Sequence, residues 1–318
     1  MRLCITSGTF HPDVGGPPTY LAALADDLVS RGHKLRVVTY GHSSGHYRYR
    51  VTRIPRGLPA PVRLAQFGLT VGVEARQSDV LYVNDYGLPA AVANLMLRKP
   101  LIMKIVGDFA WEYAVRHGLI QKELGIDEFQ QRRFGRRVER VRRLQSWYTC
   151  RADLVVVPSS YLAGIVRGWG VEPERLRVVP NAPPPDRTVR SQPRSKPRPK
   201  IGSAASVQVV TVARLAPWKG VDHLIEAVGL GRQSAAQLEL LVIGDGDDRA
   251  RLERLAARLD NGAVHFAGQL PHETTLDLIA GADMVALCSS YEAFLTCCSK
   301  QWPPASQLSR PPSAETLS

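Results

Sequence analysis

The run Val209-Val210-Thr211-Val212-Ala213-Arg214-Leu215-Ala216-Pro217-Trp218-Lys219-Gly220 decides the fold. Four residues of buried-strand character give way to a loop that holds two cations, apolar anchors and a glycine, and a helical pattern follows. A second strand, Leu240-Leu241-Val242-Ile243, runs into Gly244-Asp245-Gly246 and then the helical stretch 249–259. A third apolar run ends in Ser289-Ser290-Tyr291-Glu292-Ala293-Phe294. Strands that alternate with helices in this way form a parallel sheet covered on both faces.

The same alternation fills the first half. Short apolar runs at 3–6, 34–39, 80–84, 101–105 and 154–157 have strand length, and Leu21-Ala22-Ala23-Leu24-Ala25-Asp26-Asp27-Leu28-Val29 is a helical pattern closed by Gly32. A Pro-rich, basic stretch at 183–206 separates the two alternations and reads as a linker. The 318 residues exceed one ordinary core and suit two domains of ~150 residues each. The predicted organisation is a first domain at 1–182, the linker 183–206, a second domain at 207–294 and a tail at 295–318.

Composition narrows the class. With 44% hydrophobic and 22% charged residues the chain is globular in character. Its start, Met1-Arg2-Leu3-Cys4-Ile5-Thr6-Ser7-Gly8, is a strand and a turn, shorter than the apolar region of a signal peptide. No apolar run approaches the ~20 residues that span a bilayer. The cysteines Cys4, Cys150, Cys288, Cys297 and Cys298 show no Cys-x-x-Cys spacing, so neither a metal knuckle nor a disulfide framework is expected. The cytoplasm is the expected compartment.

The net charge of +12 asks for an anionic partner, and phosphorylated small molecules, anionic lipid and nucleic acid all answer to the same Coulomb attraction. Phe134, Val138, Val141 and Leu144 recur at helical spacing beneath arginines 132, 133, 136, 137, 140, 142 and 143. Such a basic amphipathic helix suits peripheral contact with the inner face of a membrane, or is a solvated face on an ordinary packed helix. No nucleic-acid partner is expected.

Taken together, the loops at 213–220, 244–246 and 289–294 resemble the carboxyl-terminal half of the family-4 retaining glycosyltransferases, which have the GT-B fold. The resemblance extends to 21–28 and to Gly32-His33-Lys34-Leu35-Arg36-Val37 in the first half. It implies an α/β chain with two Rossmann-like domains, a nucleotide diphosphate-sugar donor held by the second and a glycan or lipid-linked acceptor held by the first. In such sheets ligands bind beyond the carboxyl ends of the strands.

Several residues are singled out. Arg214 and Lys219 flank a loop entering a helix, where two fixed cations can neutralise a diphosphate leaving group, and matching positions in the family contact the donor diphosphate. Gly244, Asp245 and Gly246 occupy the family's loop beside the nucleotide, although a tight turn needs the same glycines. Glu292 corresponds to the first Glu of the family's paired-Glu signature and faces the donor sugar by resemblance. Gly15 and Gly16 follow the first strand and precede a helix whose amino terminus favours anions. Asp108 follows a strand where many relatives carry a catalytically placed His. It is a candidate hydrogen-bond acceptor for donor or acceptor, or a helix N-cap. Asn84-Asp85-Tyr86-Gly87 is a further strand-end cluster and a candidate acceptor contact. The resemblance implies neither a cofactor nor a catalytic metal.

The resemblance breaks after Phe294. The family continues through a second Glu into Leu-Leu-Glu-Ala-Met-Ala-x-Gly, whereas this chain reads Leu295-Thr296-Cys297-Cys298-Ser299-Lys300-Gln301-Trp302. Reading the back-translated tail one base earlier permits that signature, with Glu falling on position 300. A missing base after the Phe294 codon, and a chain inactive as written, are therefore expected. A Ser/Pro-rich tail is the plainer alternative. The expected activity is sugar transfer with retention of configuration. The other readings are a non-catalytic truncated relic or binding subunit, and a sugar-nucleotide epimerase of the same fold.

Overall fold

The computed structural model describes residues 1–13, 15–42, 45–121, 123–181, 206–233, 237–259 and 262–290. These fall into two compact units. The first comprises Met1–Ala114 and Ile126–Pro185, the second Val115–Gly125 and Asp186–Glu292, over their described residues.

The strands up to residue 178 are β1 (Arg2–Ser7), β2 (Lys34–Tyr40), β3 (Arg50–Ile54), β4 (Val80–Asn84), β5 (Leu101–Lys104), β6 (Leu154–Val157) and β7 (Leu176–Val178). Between them run α1 (Gly16–Ser30), α2 (Ala60–Glu74), α3 (Gly87–Leu97), α4 (Phe109–Arg116), α5 (Ile126–Gln131), α6 (Arg136–Thr149) and α7 (Ser160–Gly168). The strands form one parallel sheet in the order β3-β2-β1-β4-β5-β6-β7. Its inner strands are dry: Ile5, Val37, Leu81, Val83, Met103 and Val155 are all buried. That is why they read as near-continuous apolar runs in the sequence.

Local chemistry sets the helix ends. α1 stops where Gly32 takes a φ of +84°, with His33 N–H donating to the Leu28 carbonyl and Gly32 N–H to that of Val29. This closes the helix with the left-handed residue that glycine supplies at least cost. On α7 the Ser159 hydroxyl accepts from Leu162 N–H at 3.2 Å, a side-chain N-cap.

α6 is the arginine-rich helix. Val138 and Tyr148 are buried, and Phe134 stacks on Phe129 with ring centroids 5.1 Å apart. Part of its apolar stripe is thus spent on packing within the first unit, while Leu144 is 39% exposed and Arg136, Arg140 and Arg143 stay exposed. No helix among the described residues is long and apolar enough to cross a membrane.

The second unit carries β8 (Val207–Val212), β9 (Leu238–Ile243), β10 (Val264–Gly268) and β11 (Met284–Val285), parallel in the order β10-β9-β8-β11. Its helices are α8 (Val221–Gln233), α9 (Arg249–Arg258) and α10 (His272–Gly281). Alternate residues of β8 and β9 go to opposite faces, as the pleat requires. Val209, Leu240 and Val242 pack with Leu224, Ile225, Val228 and Leu252 of α8 and α9. Val210, Leu241 and Ile243 meet Leu278 and Ile279 of α10. Both faces are covered, and the strand ends are left to carry loops.

Candidate functional site

In the second unit, two loops leave the carboxyl ends of β8 and β9 and lock together. Ala213 N–H donates to the Ile243 carbonyl at 3.1 Å, Leu215 N–H to that of Asp245 at 3.0 Å, and Asp248 N–H to that of Leu215 at 3.2 Å. Leu215, Ala216 and Trp218 are buried and anchor the first loop. Arg214, between these anchors and the strand, is exposed and makes no ion pair or side-chain hydrogen bond among the described residues. Lys219 is half-buried and ends a short 3₁₀ turn, Pro217–Lys219. Gly220 then takes a φ of +61°, and a Cβ there would lie 2.1 Å from the Cys288 carbonyl oxygen. Only glycine lets the chain turn there into α8.

The glycines of the second loop have a definite physical reason. A Cβ on Gly244 would sit 1.9 Å from the Ala213 carbonyl oxygen, and one on Gly246 would sit 2.2 Å from that of Leu215. Both glycines therefore admit the neighbouring loop of the same chain. Asp245 accepts the Gly246 N–H at 2.8 Å and lies 3.5 Å from the Arg249 guanidinium, which folds its carboxylate back on its own loop. Glu292 and the tail 295–318 lie outside the described residues.

In the first unit, Gly15 caps α1 with a φ of +144°, and Thr19 returns both its N–H and its hydroxyl to the Gly15 carbonyl. Pro17 and Pro18 occupy the first turn and have no N–H to give. This helix start offers an anion fewer amide donors than an ordinary one.

Asp108 is 1% exposed and sits at the head of α4. Its carboxylate accepts Trp111 N–H at 3.1 Å, Gln130 Nε2 at 2.8 Å and Gln145 Nε2 at 3.2 Å. Burial pushes its carboxyl up, and those same donors hold it down. Its side chain thus makes an N-cap bond and ties α4 to α5 and α6.

Sequence reading singled out only Asn84 of the row that crosses the carboxyl end of this sheet. Thr39, Ser7, Asn84 and Lys104 are in register on four adjacent strands, and all four are buried. Lys104 Nζ lies 3.5 Å from the Tyr20 ring centroid and donates to Asn181 Oδ1 at 2.5 Å. Burial lowers its pKa. The signal was available, since a lysine inside Leu101-Ile102-Met103-Lys104-Ile105-Val106 interrupts an apolar strand.

Beyond that row, Asp85 and Tyr86 both adopt left-handed backbone, with φ of +51° and +59°. Gly87 follows in close packing, since a Cβ on it would come within 2.7 Å of the Tyr148 ring. Two successive non-glycine residues in this region store strain of order 1–3 kcal/mol each. Burial first, and the charge of Glu112 second, push the Asp85 carboxyl up to about 7.

A carboxyl with a raised folded pKa keeps a proton that the unfolded chain releases, so stability falls as pH rises from 3.8 to about 7. The full shift corresponds to roughly 4 kcal/mol, reduced to about 2 because the group is only half-buried. Asp85→Asn is therefore expected to stabilise the first unit by about 2 kcal/mol at pH 8, an advantage that shrinks toward pH 4. Urea unfolding of both proteins across that range checks it. A difference independent of pH would contradict the cause given.

Comparison with known proteins gives the family. Residues 14–187 match Glycosyltransferase Family 4, and residues 195–296 match Glycosyl transferases group 1. The chain belongs to glycosyltransferase family 4. Members of this family are retaining glycosyltransferases that use nucleotide-sugar donors. An uncharacterised glycosyltransferase of Methanocaldococcus jannaschii is 25% identical over 92% of this chain and 76% of its own. The GDP-mannose-dependent alpha-(1-6)-phosphatidylinositol monomannoside mannosyltransferase of Mycolicibacterium smegmatis is 26% identical over 90% of this chain and 72% of its own. Among solved structures, Anabaena HepE in complex with UDP and glucose superposes with a TM-score of 0.61 at 21% identity, covering 92% of this chain and 76% of that one. Other curated relatives that match along most of this chain are longer still: it spans 62% and 58% of two of them.

Proposed function

We propose that the second unit binds a nucleoside diphosphate-sugar and that its sugar passes, with retention, to a glycan or lipid-linked hydroxyl held by the first unit. The observation that carries this reading is the exposed Arg214 beside Lys219, on a loop whose backbone is fixed by buried Leu215 and Trp218. Cations carried on a fixed loop backbone at a strand end suit a dianionic leaving group, because they neutralise the charge that develops on it. In the reaction, the bond from the anomeric carbon to the diphosphate oxygen breaks and a bond to the acceptor oxygen forms on the same face. The acceptor proton goes to the departing diphosphate. Arg214 and Lys219 stabilise that diphosphate, and no protein nucleophile is required.

The name of the mycobacterial relative supports a lipid-linked acceptor. The exposed arginines of α6 fit an anionic surface mainly by charge, because Val138 and Tyr148 are used internally and Leu144 is the one residue of the apolar stripe left exposed. Binding to anionic vesicles is therefore expected to be weak and lost at high salt, as co-sedimentation at two ionic strengths would show. Salt-resistant binding would point to apolar insertion instead.

The decisive assay incubates the 318-residue chain and a frame-restored one with UDP- and GDP-sugars and follows release of free nucleoside diphosphate. Slow release without acceptor supports a transferase, whereas isomerised donor indicates an epimerase. Neither outcome supports a non-catalytic binding subunit, which the departure of 295–302 from the family signature favours. A frameshift after Phe294 belongs to the same proposal. Its support is the tail's shifted reading together with a family match that runs to residue 296. The nucleotide sequence across codons 290–318 tests it.

A further inference from the structure

One ion network in the second unit joins the two loops of the donor reading from behind. Arg251, on α9, donates through Nε to Asp248 Oδ1 at 2.6 Å and through Nη2 to Asp248 Oδ2 at 2.7 Å. The same Nη2 reaches Asp222 Oδ2 at 3.0 Å. Asp248 ends the loop after β9, and its own N–H holds the Leu215 carbonyl. Asp222 lies in the first turn of α8, three residues after Lys219, and its other oxygen accepts the His223 N–H at 3.2 Å. Both carboxylates are buried, with side chains 5% and 8% exposed, while the guanidinium is 36% exposed.

Two buried carboxylates in one place repel, and only a cation between them makes the arrangement stable. A guanidinium does this with directional bonds at fixed angles, which a lysine ammonium cannot reproduce. The network therefore fixes the start of α8 against the 244–248 loop, and with it the turn that carries Lys219. The interlock at Gly244 and Gly246 fixes the same two loops through the backbone.

We infer that Arg251, bridging Asp222 and Asp248, is a positioning residue for diphosphate recognition, setting the loop of Arg214 and Lys219 without touching the ligand itself. The inference rests on the donor reading given above. It makes a specific demand: loss of the bridge should weaken contact with the second phosphate more than contact with the nucleoside.

The test measures binding of UDP, UMP and uridine, and of the guanine series, by calorimetry to the 318-residue chain and to Arg251→Lys and Asp222→Asn. The tighter base is then followed. Each variant should lose roughly tenfold in diphosphate affinity while uridine or guanosine affinity stays unchanged, so the preference for diphosphate over monophosphate collapses. Using two variants keeps the test alive if one fails to fold, as melting without ligand would show. A folded variant that keeps the full diphosphate preference would overturn the inference and leave the donor reading intact. Failure of the unsubstituted chain to bind any nucleoside diphosphate would overturn the donor reading and this inference with it.

Discussion

Gly244→Ala is expected to cost the second unit ~4 kcal/mol, enough to leave it largely unfolded. The added methyl would lie 1.9 Å from the Ala213 carbonyl oxygen, far inside contact distance, and that oxygen belongs to backbone that cannot swing away. Ala213 is tied at its N–H to Ile243, and Gly244 N–H is tied to the Gly268 carbonyl at 2.8 Å. Moving either strand end breaks the junction of β8, β9 and β10. A φ of +134° adds conformational strain for any residue with a side chain. Strain of ~1–3 kcal/mol and overpacking of ~1–3 kcal/mol together give the stated figure. Gly262 is the matched control, because a Cβ there meets nothing within 4 Å and its φ is not left-handed. Gly262→Ala should be nearly neutral. Urea unfolding and limited proteolysis compare the three proteins, and equal stability of the two alanine variants would mean that the loops do not interlock as described.

What the sequence disclosed follows burial. β1, β2, β4, β5 and β6 lie inside the first sheet, and each was legible as an apolar run to within a residue or two of its ends. β3 and β7 were missed, and both are edge strands. β3, Arg50-Val51-Thr52-Arg53-Ile54, carries arginines where an inner strand would carry aliphatic residues. The edge β10 escaped for a related reason, since all five of its residues are only half-buried. At the loops after β8 and β9, the residue types and spacing of Arg214, Lys219 and the glycines could be read directly. The bridge between Asp222, Asp248 and Arg251 could not, because it joins residues from two strand–helix connections that only the fold brings together. Asp108 was legible as a strand-end carboxylate with two alternatives, and only three-dimensional contacts bring Gln130 and Gln145 onto it. A sequence reports its periodic, buried segments well. It reports polar partners poorly, since they depend on long-range register.

In a frame-restored protein, Arg214→Ala and Lys219→Ala are each expected to weaken nucleotide-sugar binding or turnover by ~2–4 kcal/mol, roughly thirty- to a thousandfold. The expectation differs in kind from that for Gly244, because the cost should fall on function and spare the fold. Arg214 is exposed and lies outside the packed anchors, so its removal should change stability by less than ~0.5 kcal/mol. Lys219 is half-buried, and a melting measurement must accompany its variant. Arg214→Lys separates charge from geometry. A guanidinium that grips two phosphate oxygens at once is poorly replaced by an ammonium, whereas a mere electrostatic field is replaced well. The two alanine effects should combine to less than their sum if both cations act on one diphosphate, since groups that share a partner are not independent. Calorimetry with a nucleoside diphosphate reads the binding part, and release of that diphosphate from its sugar reads the turnover part. Unchanged values in both single variants, with the fold intact, would mean that the donor phosphates bind elsewhere.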